Sequence, residues 1–108
     1  MTIPVDPQLS FRWCLAAAKQ KHVYAMVKIG FAYSEGTGVE QNDESAFEWF
    51  MKAADKGDKN AQCNVGVFYE QGIGCEIDLV QAMHWYQKSA AQGVQYAIDA
   101  AERLSQAQ

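Results

Sequence analysis

Hydrophobic residues recur along the chain at intervals of three and four positions, which is the spacing of one face of an α-helix. In the segment 79–92, for example, Ala82, Trp85, Tyr86 and Ser89 share one face. Glycines and side chains suited to helix capping mark the ends of most segments of this kind. The pattern predicts six helices, at residues 7–20, 22–35, 43–56, 58–71, 79–92 and 94–106.

The predicted helices belong to a repeat of 36 residues. Trp13, Trp49 and Trp85 are 36 positions apart, and the same offset relates several alanines, glycines and tyrosines without a gap. Chance does not align so many residue types in one register, and such a period is the signature of a repeat protein. Each complete period contains two predicted helices, so the repeating unit is predicted to be a helical hairpin.

Two glycines, Gly30 and Gly66, lie inside predicted helices. Glycine in a helix interior costs on the order of 1 kcal/mol relative to alanine, so a gain in packing must offset it. We expect a neighbouring helix to approach closely at both positions.

A specific residue pattern occurs in two segments, KIGFAYSEGTGVEQNDESAFEWFMKAADKG and NVGVFYEQGIGCEIDLVQAMHWYQKSAAQG. It consists of hydrophobic-Gly, Tyr, Gly-x-Gly, an acidic cap, Ala, Trp-aromatic, Ala-Ala and Gly. The pattern resembles the Sel1-like repeat, a relative of the tetratricopeptide repeat, and the resemblance covers essentially the whole chain. It implies an all-α fold, a short right-handed α-solenoid of antiparallel helix hairpins, with a concave face that holds protein partners.

Departures from the pattern are concentrated at the two ends of the chain. Lys21 replaces a turn glycine, Cys14 replaces an aromatic residue, and Glu102 replaces the interior glycine. Terminal units of solenoids are atypical because one of their faces meets water. The chain is therefore predicted to be one domain, with a lone N-terminal helix at 1–21, repeats at 22–57 and 58–93, and a C-terminal capping helix at 94–108.

The charge and composition of the chain argue against two classes of partner, nucleic acid and membranes. The net charge of −4 provides no basic field for nucleic acid. No apolar run is long enough for a membrane span, so no membrane partner is expected. The three cysteines form no CxxC pair and are predicted to be free thiols, which favours a cytoplasmic location, and Cys75 is expected to be small and buried.

No catalytic residue, metal site or cofactor is predicted. The Gly-x-Gly loops at 36–38 and 72–74 lack a third glycine and a following Lys-Ser/Thr, so they are predicted to be turns rather than phosphate-binding loops. His22 and His84 do not combine with the scattered cysteines into a zinc-site spacing. No nucleophile and base recur on one helix face, although pairing across two helices is left open. We predict that the protein is not an enzyme.

The first helix of each hairpin carries a second stripe of residues roughly opposite its core stripe. In the arrangement that the resemblance implies, this stripe lines the concave face and binds the partner. Its apolar members are either exposed in a groove, or covered by the lone first helix or the tail and thus ordinary core. The predicted partner-binding residues are Tyr24, Val27, Phe31, Asn60, Cys63, Val67, Glu70, Tyr96, Asp99 and Arg103.

The leading hypothesis is a non-catalytic protein-interaction module, an adaptor or scaffold that binds a peptide or helix of another protein. The alternative is an immunity-type or regulatory protein that neutralises one specific toxin or enzyme through the same surface. A small hydrolase is the least favoured hypothesis. The protein itself is expected to be a monomer or to self-associate weakly.

Overall fold

The computed structural model describes residues 6–106, which form six α-helices and no strand. Every predicted helix is present within one residue of its expected ends, and residues 1–5 and 107–108 of the predicted terminal segments lie outside the described range. None of the described helices is long and apolar enough to cross a membrane. The helices are α1 (Pro7–Lys19), α2 (Val23–Glu35), α3 (Asp43–Asp55), α4 (Lys59–Gln71), α5 (Leu79–Ala91) and α6 (Gln95–Gln106).

Short polar side chains begin four of the helices. The side-chain oxygens of Asp6, Asn42, Asp58 and Asp78 each accept a hydrogen bond from a backbone N–H two or three residues further on. These bonds satisfy N–H groups that have no partner inside the helix. The expectation that capping side chains mark the ends of most helical segments is thereby confirmed at these four starts.

The turn between α1 and α2 differs from its two copies at one backbone position. Gly57 and Gly93 have φ angles of 97° and 88°, a left-handed conformation that glycine adopts without strain. Lys21 occupies the same repeat position with φ 69°, and it is the only non-glycine residue with positive φ in residues 6–106. A residue with a side chain costs about 1–2 kcal/mol in this conformation, so the first turn is less favourable than its copies.

Each helix packs against the next along the chain, so that α2 with α3 and α4 with α5 form hairpins flanked by α1 and α6. The molecule is elongated, with extents of 53 × 27 × 25 Å. Contacts recur with the sequence period: Phe11 meets Tyr33 edge-on at 5.4 Å between ring centroids, and 36 residues later Phe47 meets Tyr69 at 5.2 Å. The fold is an all-α helical repeat solenoid.

The interior glycines allow aromatic rings to pack between the helices of a hairpin. A Cβ atom on Gly30 would lie 2.7 Å from the ring of Phe50, and a Cβ atom on Gly66 would lie 2.7 Å from the ring of Tyr86. Both rings are almost fully buried, at 1% and 0% exposure. The close approach expected at the two glycines is confirmed, and burial of a large ring is the gain that offsets the cost of glycine in a helix.

The buried core divides into two clusters along the solenoid. The larger cluster joins α1 to α4 and also contains Trp85 of α5. The smaller cluster joins α4, α5 and α6 around Tyr86. Because Trp85 and Tyr86 are neighbours in sequence but belong to different clusters, α5 is packed on both sides, against the preceding hairpin and against the following helix.

Candidate functional site

The N-terminal part of the predicted binding stripe lies beside an open apolar cavity. Tyr24 and Phe31 are 72% and 44% exposed, whereas Val27 is buried between them at 7%. All three line a cavity of about 370 Å³ between α1 and α2, together with Phe11 and Cys14 of α1. A cavity of this size with an apolar lining is typical of sites that accept a ligand side chain.

The cavity exists because two residues are small where the next repeat has aromatic rings. In the next repeat, the Phe50 ring meets Phe68 edge-on at 5.5 Å between centroids. The equivalent residues 36 positions earlier are Cys14 and Ala32, and both line the cavity. With the two rings missing, α1 and α2 enclose a gap where α3 and α4 enclose packed core.

The first helix neither leaves the apolar stripe fully open nor covers it completely. α1 forms one wall of the cavity, while Tyr24 and Phe31 on α2 stay exposed to solvent. Lys28 lines the same cavity, and its Nζ lies 5.3 Å from the centroid of the Tyr24 ring. The site therefore combines an apolar floor with two charged residues of opposite sign in its lining, Lys28 and Glu35.

The C-terminal part of the stripe is closed by a polar cluster. Glu70 on α4 accepts two hydrogen bonds from the Arg103 guanidinium on α6, at 2.6 and 3.0 Å, and one from the Tyr86 hydroxyl on α5, at 2.8 Å. The Arg103 bonds lower the pKa of Glu70, aided by the Tyr86 bond, although partial burial of the carboxylate opposes the change. Burial first, and the bond to Glu70 second, raise the pKa of Tyr86. The cluster links three helices through the carboxylate of Glu70.

Two apolar residues of the stripe, for which exposure in a groove and burial in the core were both left open, are buried. Val27 is the floor of the cavity, and Cys63 is 8% exposed inside the smaller core cluster. For these two side chains the core alternative applies, because Val27 belongs to the larger core cluster and Cys63 to the smaller one. Val67 is half-buried against the same cluster.

The remaining predicted residues are polar or amphipathic and lie on the surface. Asn60 and Asp99 are exposed, and the Asp99 carboxylate accepts a hydrogen bond from the Gln95 side chain at 2.9 Å. Tyr96 is 53% exposed, with its ring centroid 6.4 Å from that of Tyr86. The structure thus divides the predicted site into an apolar cavity at α1–α2 and a polar surface on α4 and α6.

The cysteines have the properties of packing residues rather than nucleophiles. All three are free thiols, and burial raises the pKa of Cys63 and of Cys75. A raised pKa disfavours the reactive thiolate. Cys75 is half-buried rather than fully buried, and its Sγ lies 3.5 Å from the carbonyl oxygen of Phe68. Across residues 6–106 the structure brings together no group of three His, Cys, Asp or Glu side chains able to hold a metal ion.

Sequence reasoning missed part of the site. It placed Tyr86 in the core without foreseeing the bond from its hydroxyl to Glu70, and it did not assign Cys14 or Ala32 to a binding site. The sequence did contain a signal for the cavity. Cys14 and Ala32 are small, whereas the equivalent residues of the next repeat are aromatic.

A short solenoid of helical hairpins with an open apolar cavity between its first two helices defines a class of repeat protein. The Sel1 repeat family model matches the chain at residues 1–22, 23–58 and 59–94. The chain belongs to the Sel1 repeat family, whose members are generally protein–protein interaction modules. No curated protein matches the chain.

Solved structures support the same family. A Sel1 repeat protein from Oxalobacter formigenes is 41% identical with a TM-score of 0.77, over 79% of this chain and 35% of that protein. A protective antigen of uropathogenic Escherichia coli strains, which displays the SLR fold, is 33% identical with a TM-score of 0.86, over 88% of this chain and 20% of that protein. Cysteine rich protein B of Helicobacter pylori shares the fold at 20% identity, with a TM-score of 0.84 over 89% and 72% of the two chains. The chain therefore spans about a third and a fifth of the first two proteins.

Proposed function

We propose that the protein is a non-catalytic interaction module that binds a peptide or helix of a partner protein along α2, α4 and α6. The observation that carries this proposal is the apolar cavity between α1 and α2, with the exposed rings of Tyr24 and Phe31 beside it. Aromatic side chains next to a preformed pocket are the usual anchors of protein interfaces.

The two parts of the stripe contact different parts of the ligand. An apolar side chain of the partner enters the cavity and packs on Val27 and Phe31. The following part of the ligand passes over α4 and α6, where Asn60 and Asp99 offer polar groups. Glu70 is already bonded to Arg103 and Tyr86, so it contributes shape rather than a free charge.

The proposal is tested with a phage-displayed library of helical peptides selected on the wild-type protein. We expect enriched peptides to carry large apolar residues at helical spacing, and to shift the amide resonances of Tyr24, Val27 and Phe31 in NMR titrations. The Tyr24→Glu, Phe31→Glu double variant should lose binding at least tenfold, because a carboxylate against an apolar anchor is costly to desolvate. Val80→Glu is the matched control, since Val80 is 79% exposed on α5 outside the cavity.

Circular dichroism and thermal melting separate loss of binding from loss of fold. Should Phe31→Glu unfold the protein, Tyr24→Glu alone carries the test, because Tyr24 is the more exposed of the two. Equal affinity of the enriched peptides for the wild type and for folded Tyr24→Glu would exclude the cavity as the binding site.

A further inference from the structure

A second surface cavity is lined by the C-terminal ends of α1 and α3 and by the turn between α1 and α2. Its volume is about 510 Å³, and it shares no lining residue with the cavity between α1 and α2. It is lined by Ala18, Lys19, Lys21, Met26, Trp49, Lys52, Asp55 and Lys56. Four of the nine basic residues of the protein therefore border one cavity, with a single carboxylate among them.

The polar bridge that spans the equivalent space of the next repeat has no counterpart in the residues of this cavity. In the next repeat, the Gln92 side chain donates a hydrogen bond to the Gln62 side chain at 3.0 Å. The residues 36 positions earlier are Lys56 and Met26. An ammonium group and a thioether do not form this bond between two amides, so the space beside them stays open.

The floor of the cavity is apolar. Ala18 and Met26 are buried, at 2% and 4% exposure. Trp49 is half-buried, whereas its equivalent Trp85 is 6% exposed. The Lys52 Nζ lies 4.2 Å from the centroid of the Trp49 ring. A ligand side chain that enters the cavity can therefore bury more of this ring, next to a cation.

No carboxylate of the described residues neutralises the four lysines. Within residues 6–106 the only salt bridge joins Arg103 to Glu70, so none of the four ammonium groups forms one, not even with Asp55. The lining thus has an excess of three positive charges, although the net charge of the whole chain is −4. A cleft lined by one sign of charge concentrates the electric field and attracts ions of the opposite sign.

The positive charge exceeds what the helix ends require. A basic residue in the last turn of a helix interacts favourably with the negative end of the helix dipole. The helices α1, α3 and α5 each have one such residue, at Lys19, Lys52 and Lys88. Lys21 and Lys56 are additional, because the other two copies have glycine and glutamine at these positions.

Lys21 also occupies a strained backbone position. Its φ angle is 69°, where Gly57 and Gly93 hold the same position in the other copies. The residue that follows is His22, whereas the next turn has Asp58 there. This turn therefore has a lysine where its copies have glycine, and it lacks the neighbouring carboxylate of the next turn. A side chain held in an unfavourable backbone conformation is a reason to infer a function for it.

We propose that this cavity binds a short acidic segment of a partner protein, with its carboxylates on the lysines and an apolar side chain on the Trp49 ring. The lysines border the cavity from two elements, since Lys19 and Lys21 belong to α1 and its turn, and Lys52 and Lys56 to the end of α3. Such a distribution suits several separate carboxylates better than one compact anion.

The charge of the whole protein favours a short segment over an extended polyanion. Nucleic acids and anionic membranes require a basic surface that continues beyond one cavity. With a net charge of −4, the protein outside this cavity is acidic. The described lining also contains no arginine, the residue whose planar guanidinium matches a phosphate group.

The probe is the peptide Glu-Glu-Leu-Glu-Glu, blocked at both ends. We expect it to bind with a dissociation constant below about 1 mM at low salt, and to bind more weakly as salt is added. In NMR titrations it should shift the indole N–H resonance of Trp49 more than those of Trp13 and Trp85. Replacing its glutamates by glutamine, or its leucine by glycine, should weaken binding at least about threefold.

Lys21→Gly tests the proposal without endangering the fold, because it restores the residue of the other copies. It should be at least as thermostable as the wild type and still bind the peptide about threefold more weakly. Adding Lys56→Gln should bring the loss to about tenfold. Lys88→Gln is the matched control, since Lys88 is the equivalent of Lys52 on the ring of Trp85. It removes the same charge outside the cavity and should bind like the wild type.

The outcomes separate this site from its alternatives. The proposal would be overturned by the absence of a Trp49 shift at about 1 mM peptide. Equal affinity of the wild type and the folded Lys21→Gly, Lys56→Gln variant would also exclude it. A single-stranded oligonucleotide and phosphatidylserine vesicles are tested in parallel. Tighter binding of either one through the same lysines would assign the cavity to a polyanion and not to a protein segment. Tyr24→Glu should bind the acidic peptide normally, so this test is independent of the cavity between α1 and α2.

Discussion

The two ends of this solenoid use the same repeat positions to make different surfaces. At the α1–α2 end, Cys14 and Ala32 leave a cavity of about 370 Å³. At the α4–α6 end, the fully buried ring of Tyr86 fills the space between helices, and its hydroxyl binds Glu70. The helices themselves have closely similar lengths. The side chains at two repeat positions, those of Cys14 and Ala32, therefore decide whether the gap between neighbouring helices is core or accessible site.

The closed end also shows how a solenoid tolerates a carboxylate near its core. The Glu70 side chain is 16% exposed, and its oxygens accept bonds from Arg103 and Tyr86. In the preceding repeat the equivalents of Glu70 and Tyr86 are Ser34 and Phe50, so both members of the pair change together. A hydroxyl buried at position 86 is stable because its partner lies within hydrogen-bond distance.

The largest expected effect concerns the ring that closes the α4–α6 end. Replacing Gly66 by leucine places a side chain where a Cβ atom alone would be 2.7 Å from the Tyr86 ring. Because that ring is fully buried, the helices must separate, and we expect the free energy of unfolding to fall by about 3 kcal/mol or more. Urea unfolding followed by circular dichroism measures this loss.

Position 102 provides the matched control for Gly66. It is the same repeat position on α6, where Glu102 is exposed. Glu102→Leu should change stability by no more than about 0.5 kcal/mol. If the two leucine variants were equally stable, the close packing of α4 on α5 would be ruled out.

A smaller effect is expected when the cavity between α1 and α2 is filled by a larger side chain. Ala32→Phe restores the residue found at position 68 and fills part of the cavity between α1 and α2. Filling a cavity with apolar side chain typically stabilises by about 1 kcal/mol, so the melting temperature should rise while peptide binding is lost. Ala16→Phe, at an exposed position of α1, should change neither. Tighter peptide binding by Ala32→Phe would show that the cavity is not the binding pocket.

The smallest effect is the pH dependence of folding stability that Glu70 confers on the α4–α6 end. Its pKa in the folded protein lies below the ordinary value of 4.5, chiefly because of the Arg103 bonds. The stability from this carboxylate is fully present above pH 4.5 and is lost as the pH falls through the lower, folded-state pKa. Between about pH 5 and pH 3, the melting temperature of the wild type should therefore fall by more than that of Glu70→Gln. Parallel curves for the two proteins would contradict the assigned role of the carboxylate.

The sequence predicted all six helices, with ends correct to within one residue, because each local signal recurs at the 36-residue period. The cap at Asp78 and the stop at Gly93 are short-range features that recur in earlier copies, and Gly30 and Gly66 indicated where helices approach closely. Each of these signals depends on residues close in sequence or one repeat apart. Local patterns were therefore sufficient for the fold.

The candidate site was predicted less well because side-chain exposure depends on neighbouring helices. On a helical wheel Val27 and Phe31 belong to one stripe, but Val27 is buried and Phe31 is 44% exposed. The bond from Tyr86 to Glu70 joins two helices across 16 positions, and the bonds from Arg103 to Glu70 span 33 positions. Neither pairing follows from periodicity, since the equivalent residues of the preceding repeat do not form it.

The packing of α1 links ligand binding to local unfolding. This helix packs mainly against α2, and the turn that joins the two contains the strained backbone of Lys21. In a chain stabilised by nearest-neighbour contacts, a terminal helix opens at the cost of one interface. Because α1 is also a wall of the cavity, a ligand that contacts both walls must be released before the helix detaches. Occupancy of the cavity would thus slow amide hydrogen exchange in α1 more than in any other helix, even though the cavity lies at one end of the molecule.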